Sequence, residues 1–181
     1  SGKRYTIWSM RSEWHNLPVI NGVPQHNGRE YHSSDVSAFK KKSSAGFSLD
    51  IAGAYEKTSA CRSWVRSYDI CGSVLTITDA YTLEKRNASD VGNFLVQGEV
   101  FLPGDTTPAG YTVKKGETVV CNGKVSMKII YPSVMTPSVT VMELDDPRLT
   151  NVWGGSLRRI SYTSPSDAPV KGKYVYKISQ M

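Results

Sequence analysis

The chain has 181 residues, 22 basic against 16 acidic, for a formal net charge of +6. Hydrophobic residues make up 39%, beside nine prolines and fifteen glycines, which excludes a disordered chain, a collagen and a coiled coil. No apolar run approaches the roughly 20 residues that a membrane helix needs. A chain this long can bury a core without disulfide or metal staples. No linker-like stretch divides it, so residues 1–181 read as a single domain.

The start, Ser1-Gly2-Lys3-Arg4-Tyr5, carries neither an initiator Met nor a signal-peptide pattern. The expectation is a mature product or a piece of a larger polypeptide. Positive charge favours solubility and also a polyanionic partner. Lys40-Lys41-Lys42 is the one dense basic cluster and reads as a solvated loop. No nucleic-acid motif accompanies it, so DNA and RNA are set aside.

In chain order, residues 1–45 form a loop-rich start that holds all three His and two of the four Trp. Period-two alternation then takes over. Phe47-Ser48-Leu49-Asp50-Ile51 predicts the first strand and 62–70 another. Residues 74–83 are rich in β-branched and aromatic side chains. The stretches 94–102, 118–121, 125–131, 139–144, 157–162 and 174–178 continue the series. Turn signals separate them: Cys71-Gly72-Ser73, Pro103-Gly104-Asp105, Asn122-Gly123-Lys124, Gly154-Gly155 and Lys171-Gly172-Lys173. Asn122-Gly123, between two alternating runs, is the strongest hairpin signal. No stretch holds a capped helical period, and 80–91 reads as strand then loop. About nine short strands without a clear helix predict an all-β, two-sheet antiparallel sandwich.

Cys61, Cys71 and Cys121 are an odd number without a C-x-x-C, which disfavours a zinc cage. Cys61 and Cys71 flank one predicted strand, whose ends would lie roughly 30 Å apart, so no disulfide joins them. All three read as free thiols. Asn87-Ala88-Ser89 is a glycosylation sequon of the kind that arises by chance.

No nucleophile elbow, Walker loop or dinucleotide fingerprint is present. Asp50, Asp69, Asp79, Asp90 and Glu99 offer no identifiable acid–base pair and read as mostly solvated. Trp14, Trp64 and Trp153 are either sugar-stacking platforms or core. His15, His26 and His32 fall within 18 residues, with Asp35 just after. Imidazole and carboxylate are metal-ligand types, but loop spacing carries little weight by itself.

Ser12-Glu13-Trp14-His15-Asn16-Leu17-Pro18-Val19-Ile20-Asn21-Gly22-Val23-Pro24-Gln25 resembles a stretch near the start of the C-terminal β-domain of heparinase II/III-like polysaccharide lyases. Gly28-Arg29-Glu30-Tyr31 and Asp35-Val36 continue the resemblance. So do 47–55, with its Asp50 and Tyr55, and Ser63-Trp64-Val65-Arg66-Ser67-Tyr68, followed by Leu75-Thr76-Ile77-Thr78-Asp79. It covers residues 5 to about 83. Beyond that it rests on β-pattern and on the closing Lys173-Tyr174-Val175-Tyr176-Lys177-Ile178.

The resemblance implies an enzyme that pairs an upstream α-helical toroid with this sandwich and cleaves uronic-acid polysaccharide by β-elimination. Tyr and His carry the protons in that family, most of them on the toroid. His15 matches the β-domain's catalytic His, and Asn16 would shape its loop. Asn16, Trp14 and Arg66 are the expected substrate contacts. Residues 1–45 would then lie near the domain interface. Asp35 matches a family metal ligand, with His32 as its companion, for a divalent zinc or calcium ion of structural role. Trp64 stands where a ligating His is often found, and indole cannot ligate, so either the site is lost or His26 or His32 substitutes, His32 being the better placed, three residues from Asp35. The expected setting is periplasmic or secreted in a bacterium, with an acidic polysaccharide such as a glycosaminoglycan or alginate as partner. Alone, the chain would be inactive. The alternative is a stand-alone carbohydrate-binding or structural sandwich without catalysis.

Overall fold

The structure, a computed structural model, describes residues 6–181; Tyr5, where the resemblance begins, lies outside the described residues. Twelve strands form: β1 (Pro18–Val19), β2 (Ser34–Lys40), β3 (Ser44–Asp50), β4 (Cys61–Cys71), β5 (Val74–Leu83), β6 (Val91–Val96), β7 (Glu99–Phe101), β8 (Glu117–Asn122), β9 (Val125–Ile130), β10 (Thr136–Glu143), β11 (Ser156–Thr163) and β12 (Lys171–Gln180). They build a four-stranded sheet, β1-β6-β11-β10, facing an eight-stranded sheet, β2-β3-β4-β5-β12-β9-β8-β7. All pairs are antiparallel, as predicted.

The period-two pattern sets the faces. On β5, Ile77, Asp79, Tyr81 and Leu83 turn inward and are buried. Trp64 and Arg66 of β4 and Tyr174 and Tyr176 of β12 share that face. The core is aromatic. Trp64 stacks on Tyr81 at 5.1 Å and Tyr81 on Tyr174 at 4.9 Å between centroids. Tyr162 of the smaller sheet meets Tyr131 at 4.6 Å. Each such pair adds about 0.5–1.5 kcal/mol beyond area burial.

Four sequence expectations change. First, 94–102 is two strands. It breaks at Gly98 (φ 113°), where a Cβ would lie 2.4 Å from the Cys121 carbonyl oxygen. There the chain passes from the small sheet (β6) to the large one (β7). Second, β2 falls inside the loop-rich start; all seven of its residues are exposed, so it lacks the half-buried alternation that marks a strand. Third, the described residues include one short α-helix, α1 (Pro147–Trp153). Asp146 caps it by accepting from the Arg148 N–H, Pro147 opens it and Gly154 ends it. It buries no residue and is too brief to show a helical period. Fourth, Asp79 and Asp90 are buried rather than solvated. The three cysteines are free, as expected.

Both buried acids are fully engaged. Asp90 accepts from the Asn21 N–H (2.8 Å), the Tyr174 hydroxyl (2.9 Å) and Arg86 Nη1 (2.7 Å). Asn21 sits in the left-handed region (φ 52°) beside Gly22 (φ 83°), and Ile20 and Val23 close the tight turn with two backbone hydrogen bonds. The Asn21 amide then donates to the carbonyls of Ser59 and Lys85 and accepts from the N–H groups of Asn87 and Ala88. One buried side chain thus ties the start of the sandwich to the segment between β5 and β6. Asn21→Ala removes four hydrogen bonds and leaves a β-carbon residue at positive φ. The expected loss is about 3 kcal/mol or more in urea unfolding, and a loss below about 1 kcal/mol would contradict this account.

Candidate functional site

Two 3₁₀ turns, Trp8–Met10 and Ser12–Trp14, lead into the segment that carries His15. Nearly every group in this segment has an internal task. The Ser12 hydroxyl donates to the Gln25 carbonyl at 2.9 Å. Trp14 is buried, edge-on to Trp8 at 5.0 Å, with the Arg159 guanidinium 4.5 Å from its ring centre. Arg159 Nη1 also donates to the Glu13 carbonyl at 3.2 Å. Asn16 Oδ1 accepts from the Leu95 N–H at 2.7 Å. Asn93 Nδ2 donates to the Leu17 carbonyl at 3.3 Å, and the Tyr55 hydroxyl to that of Pro18 at 2.7 Å.

Arg66 supplies the deepest anchor. Its Nε and Nη2 bind Asp79 Oδ1 and Oδ2, both at 2.7 Å, and its Nη1 reaches the Asn16 carbonyl at 2.8 Å. Arg66 and Asp79 stand directly opposite on β4 and β5, only 3% and 1% exposed. Burial opposes the charge, but the Asp79 carboxylate holds the guanidinium proton above its ordinary range.

His15 is the exception. It is exposed in extended backbone (φ −126°, ψ 170°), and among the described residues its ring has no hydrogen-bond or ionic partner. It opens onto a cleft of about 300 Å³ walled by Met10, Arg11, Leu17, Pro24 and His26. Arg11 donates to Glu13 Oε1 at 2.6 Å. Burial works to raise the Glu13 carboxyl, but its backbone hydrogen bond, Arg11 and Arg159 bring it below the ordinary value. His26 has partners on both ring nitrogens. Nδ1 lies 2.7 Å from the Asn27 carbonyl and Nε2 lies 3.3 Å from Glu56 Oε1. Its ring packs on Tyr31 at 4.4 Å. The cleft therefore offers one unengaged imidazole, a second held in place, and a guanidinium–carboxylate pair. Imidazole is the side chain suited to moving a proton near neutral pH.

Two expected substrate contacts are corrected. Arg66 has all three donor groups committed inside the core, so it is not available to a uronate. Trp14 is packed under Arg159 rather than presented as a sugar platform. Asn16 stays exposed, with Nδ2 making no hydrogen bond among the described residues. The metal expectation fares no better. His32 Nδ1 lies 3.0 Å from the Glu30 carbonyl, and Asp35 Oδ2 accepts from the Ser34 hydroxyl at 2.9 Å. Among the described residues no three His, Cys, Asp or Glu side chains converge as a metal site. Zinc takes four ligands and calcium six or more, so these side chains do not fit either ion. Trp64 is core, and its buried Nε1 has no partner.

The acid and Tyr of 47–55 are structural as well. Asp50 accepts from Ser63 (2.6 Å) and from the N–H groups of Ala52 (2.9 Å) and Trp64 (3.0 Å), fixing the passage from β3 to β4. Burial pushes the Tyr55 phenol well above its ordinary value, out of the range useful for proton transfer. The sequence reading misses Arg11 as a cleft residue and weighs His26 only as a metal-ligand type. Arg11-x-Glu13 was the available signal for a fixed charge pair beside His15.

No protein-family model and no curated protein matches the chain. Solved structures do. A heparinase III (the BT4657 gene product, with methylated lysines) superposes with TM-score 0.64 at 10% identity, over 96% of this chain and 24% of that one. Heparan sulfate lyase HepC from Pedobacter heparinus gives TM-score 0.65 at 9% identity, and a mutant of it 0.67 at 8%; both cover 98% of this chain and 26% of theirs. The shared part is the C-terminal domain of those proteins. The chain has their sandwich fold and spans about a quarter of their length.

The Arg66 anchor can be tested apart from stability. Arg66→Met should cost about 3–5 kcal/mol by leaving Asp79 buried and unpaired. Adding Asp79→Leu should recover most of that. The double variant should still speed amide exchange around residues 15–17, because the Asn16 carbonyl has lost its donor. Exchange at the wild-type rate would show that the loop does not depend on Arg66.

Proposed function

We propose that this chain is the sandwich part of a polysaccharide lyase acting on a uronic-acid polymer, and that His15 is its contribution to the chemistry. One observation carries the reading. In the segment most like the lyase family, His15 alone among Ser12–Asn16 has no side-chain partner, while both neighbours are pinned. A reacting group must be held in place and yet kept unengaged. The heparinase III and heparan sulfate lyase names of the structural neighbours supply the reaction class.

β-Elimination on a uronate breaks the C–H bond beside the carboxylate and the C–O bond to the leaving sugar, and forms a C=C bond between those two carbons. A base takes the proton, a cationic or hydrogen-bonding group neutralises the carboxylate, and an acid protonates the departing oxygen. An imidazole such as His15 suits either proton transfer. Among the described residues the cleft walls hold no unpaired cation, since Arg11 is bound to Glu13. The remaining groups would come from an upstream domain of the same polypeptide, so the isolated chain would be inactive. A polysaccharide substrate would be met in the periplasm or outside the cell, which is the setting this reading implies.

The test uses the longest polypeptide that contains this chain. His15→Ala should lower kcat by about 10²–10⁴-fold, with a much smaller change in KM, followed by the ultraviolet absorbance of the unsaturated uronate product. The variant should melt within a few degrees of wild type, because His15 has no partner to lose. Turnover near wild type would remove His15 from the mechanism.

A further inference from the structure

The outer face of the large sheet carries a group of cations that the core does not use. On β12, Tyr174 and Tyr176 turn inward, so Lys171, Lys173 and Lys177 turn outward, and all three are exposed. This is an interior strand, flanked by β5 and β9. Lys171 stands opposite Thr82 and Lys173 opposite Ala80; one strand further, Ser63 and Val65 complete those two rows. These six residues line an open hollow of about 450 Å³, and no acid joins its lining. Among the described residues, none of the three lysines is paired with a carboxylate. The outward acid of β4 is Asp69, opposite Thr76, which in turn faces Lys177. Hydroxyls fill the middle of the face. Ser67 and Thr78 stand opposite each other, and Ser48 and Ser37 extend that row across β3 and β2.

Three unpaired cations along about 20 Å of one strand, on a low-dielectric slab, raise the local concentration of anions. The cross-strand neighbours of Lys171 and Lys173 are small and neutral, so nothing in the sheet offsets the charge. A protein partner fits poorly. Interface centres are depleted in lysine and enriched in aromatic residues and arginine, and the outward positions of 63–69, 76–82 and 171–177 hold neither. A flat face of hydroxyls with spaced ammonium groups instead matches a polymer that carries carboxylate or sulfate among its own hydroxyls. We infer that the outer face of the large sheet is a non-catalytic binding surface for an acidic polysaccharide, with anionic groups at Lys171, Lys173 and Lys177. The inference rests on the lyase reading for the kind of polymer alone. The His15 segment is fastened through Arg66 to the opposite, inward face of the same sheet.

Titration calorimetry of the present chain with heparan sulfate oligosaccharides at low salt tests it, with dextran as the neutral control. Wild type should bind the anionic chain, more weakly as salt rises, and should not bind dextran. Lys171→Gln with Lys173→Gln should weaken binding about tenfold, and adding Lys177→Gln should weaken it further and flatten the salt dependence. Lys171→Arg with Lys173→Arg keeps the charge and should bind as wild type, which guards against a folding defect in the glutamine variants. His15→Ala should bind normally. Absence of binding by wild type, full binding by the triple glutamine variant, or loss on His15→Ala alone would each overturn the assignment. So would tighter binding to duplex DNA or to anionic phospholipid vesicles at equal charge. Turnover of the longest polypeptide separates this reading from the other: loss of turnover on His15→Ala beside a wild-type chain that binds nothing would leave the lyase standing and remove this surface.

Discussion

The Arg66 guanidinium, closed between Asp79 and the Asn16 carbonyl, is the contact on which the arrangement of the site depends. A planar fork with fixed donors can satisfy a carboxylate and a third acceptor at once, which an ammonium would do less well. Asp79 fixes the guanidinium on the inward face of the large sheet. The remaining donor then reaches out of that face to the backbone beside His15. A buried ion pair is a poor source of net stability, since both charges lose water. Here its return is geometric: it gives an otherwise irregular segment one reference point inside the sheet.

The anchors around it share a logic. Leu95 N–H, Asn93 Nδ2, the Tyr55 hydroxyl and Arg159 all reach the loop through its backbone or through Asn16. They come from the smaller sheet and from the passage between β3 and β4, across from Arg66 on the larger one. Backbone carbonyls buried outside regular structure must find donors, and this segment finds them in side chains rather than in a ladder. The consequence is a short irregular stretch tied at many points, with its one imidazole left outside the bonding. Such rigidity is what a catalytic group on a loop requires.

The sandwich was legible because period two is a direct imprint of burial. Ile77, Tyr81 and Leu83 on β5, and Tyr174 and Tyr176 on β12, announce their inward face by spacing alone. The same phase places Asp79 inward; the expectation of a solvated Asp79 gave its charge more weight than its phase. Strand β2 was illegible because every residue on it is exposed, so no burial pattern exists to read. Asn21 appeared only as part of a resemblance, and its work is a four-bonded turn. His15 stood out in the sequence through that resemblance. What could not be read was the negative fact that matters most, that its ring has no partner, because partners 50 or more residues away settle it for its neighbours.

The unequal sheets explain why an apolar face stays exposed beyond the core. Strands lie about 4.8 Å apart, so eight of them span about 34 Å and four about 14 Å. A four-stranded layer leaves much of the larger sheet's inward face uncovered. At one end β8 keeps Thr118, Val119 and Val120 buried, so other parts of the chain close over it. At the other end β2 has no buried residue and β3 none either. Phe47, Tyr68, Ile70 and Leu75 are there because they continue the phase of the core residues, not because the core reaches them. An apolar phase that runs past its cover costs solubility unless charge surrounds it. Lys40, opposite Ala45 and so on the same face as Phe47, supplies part of that charge.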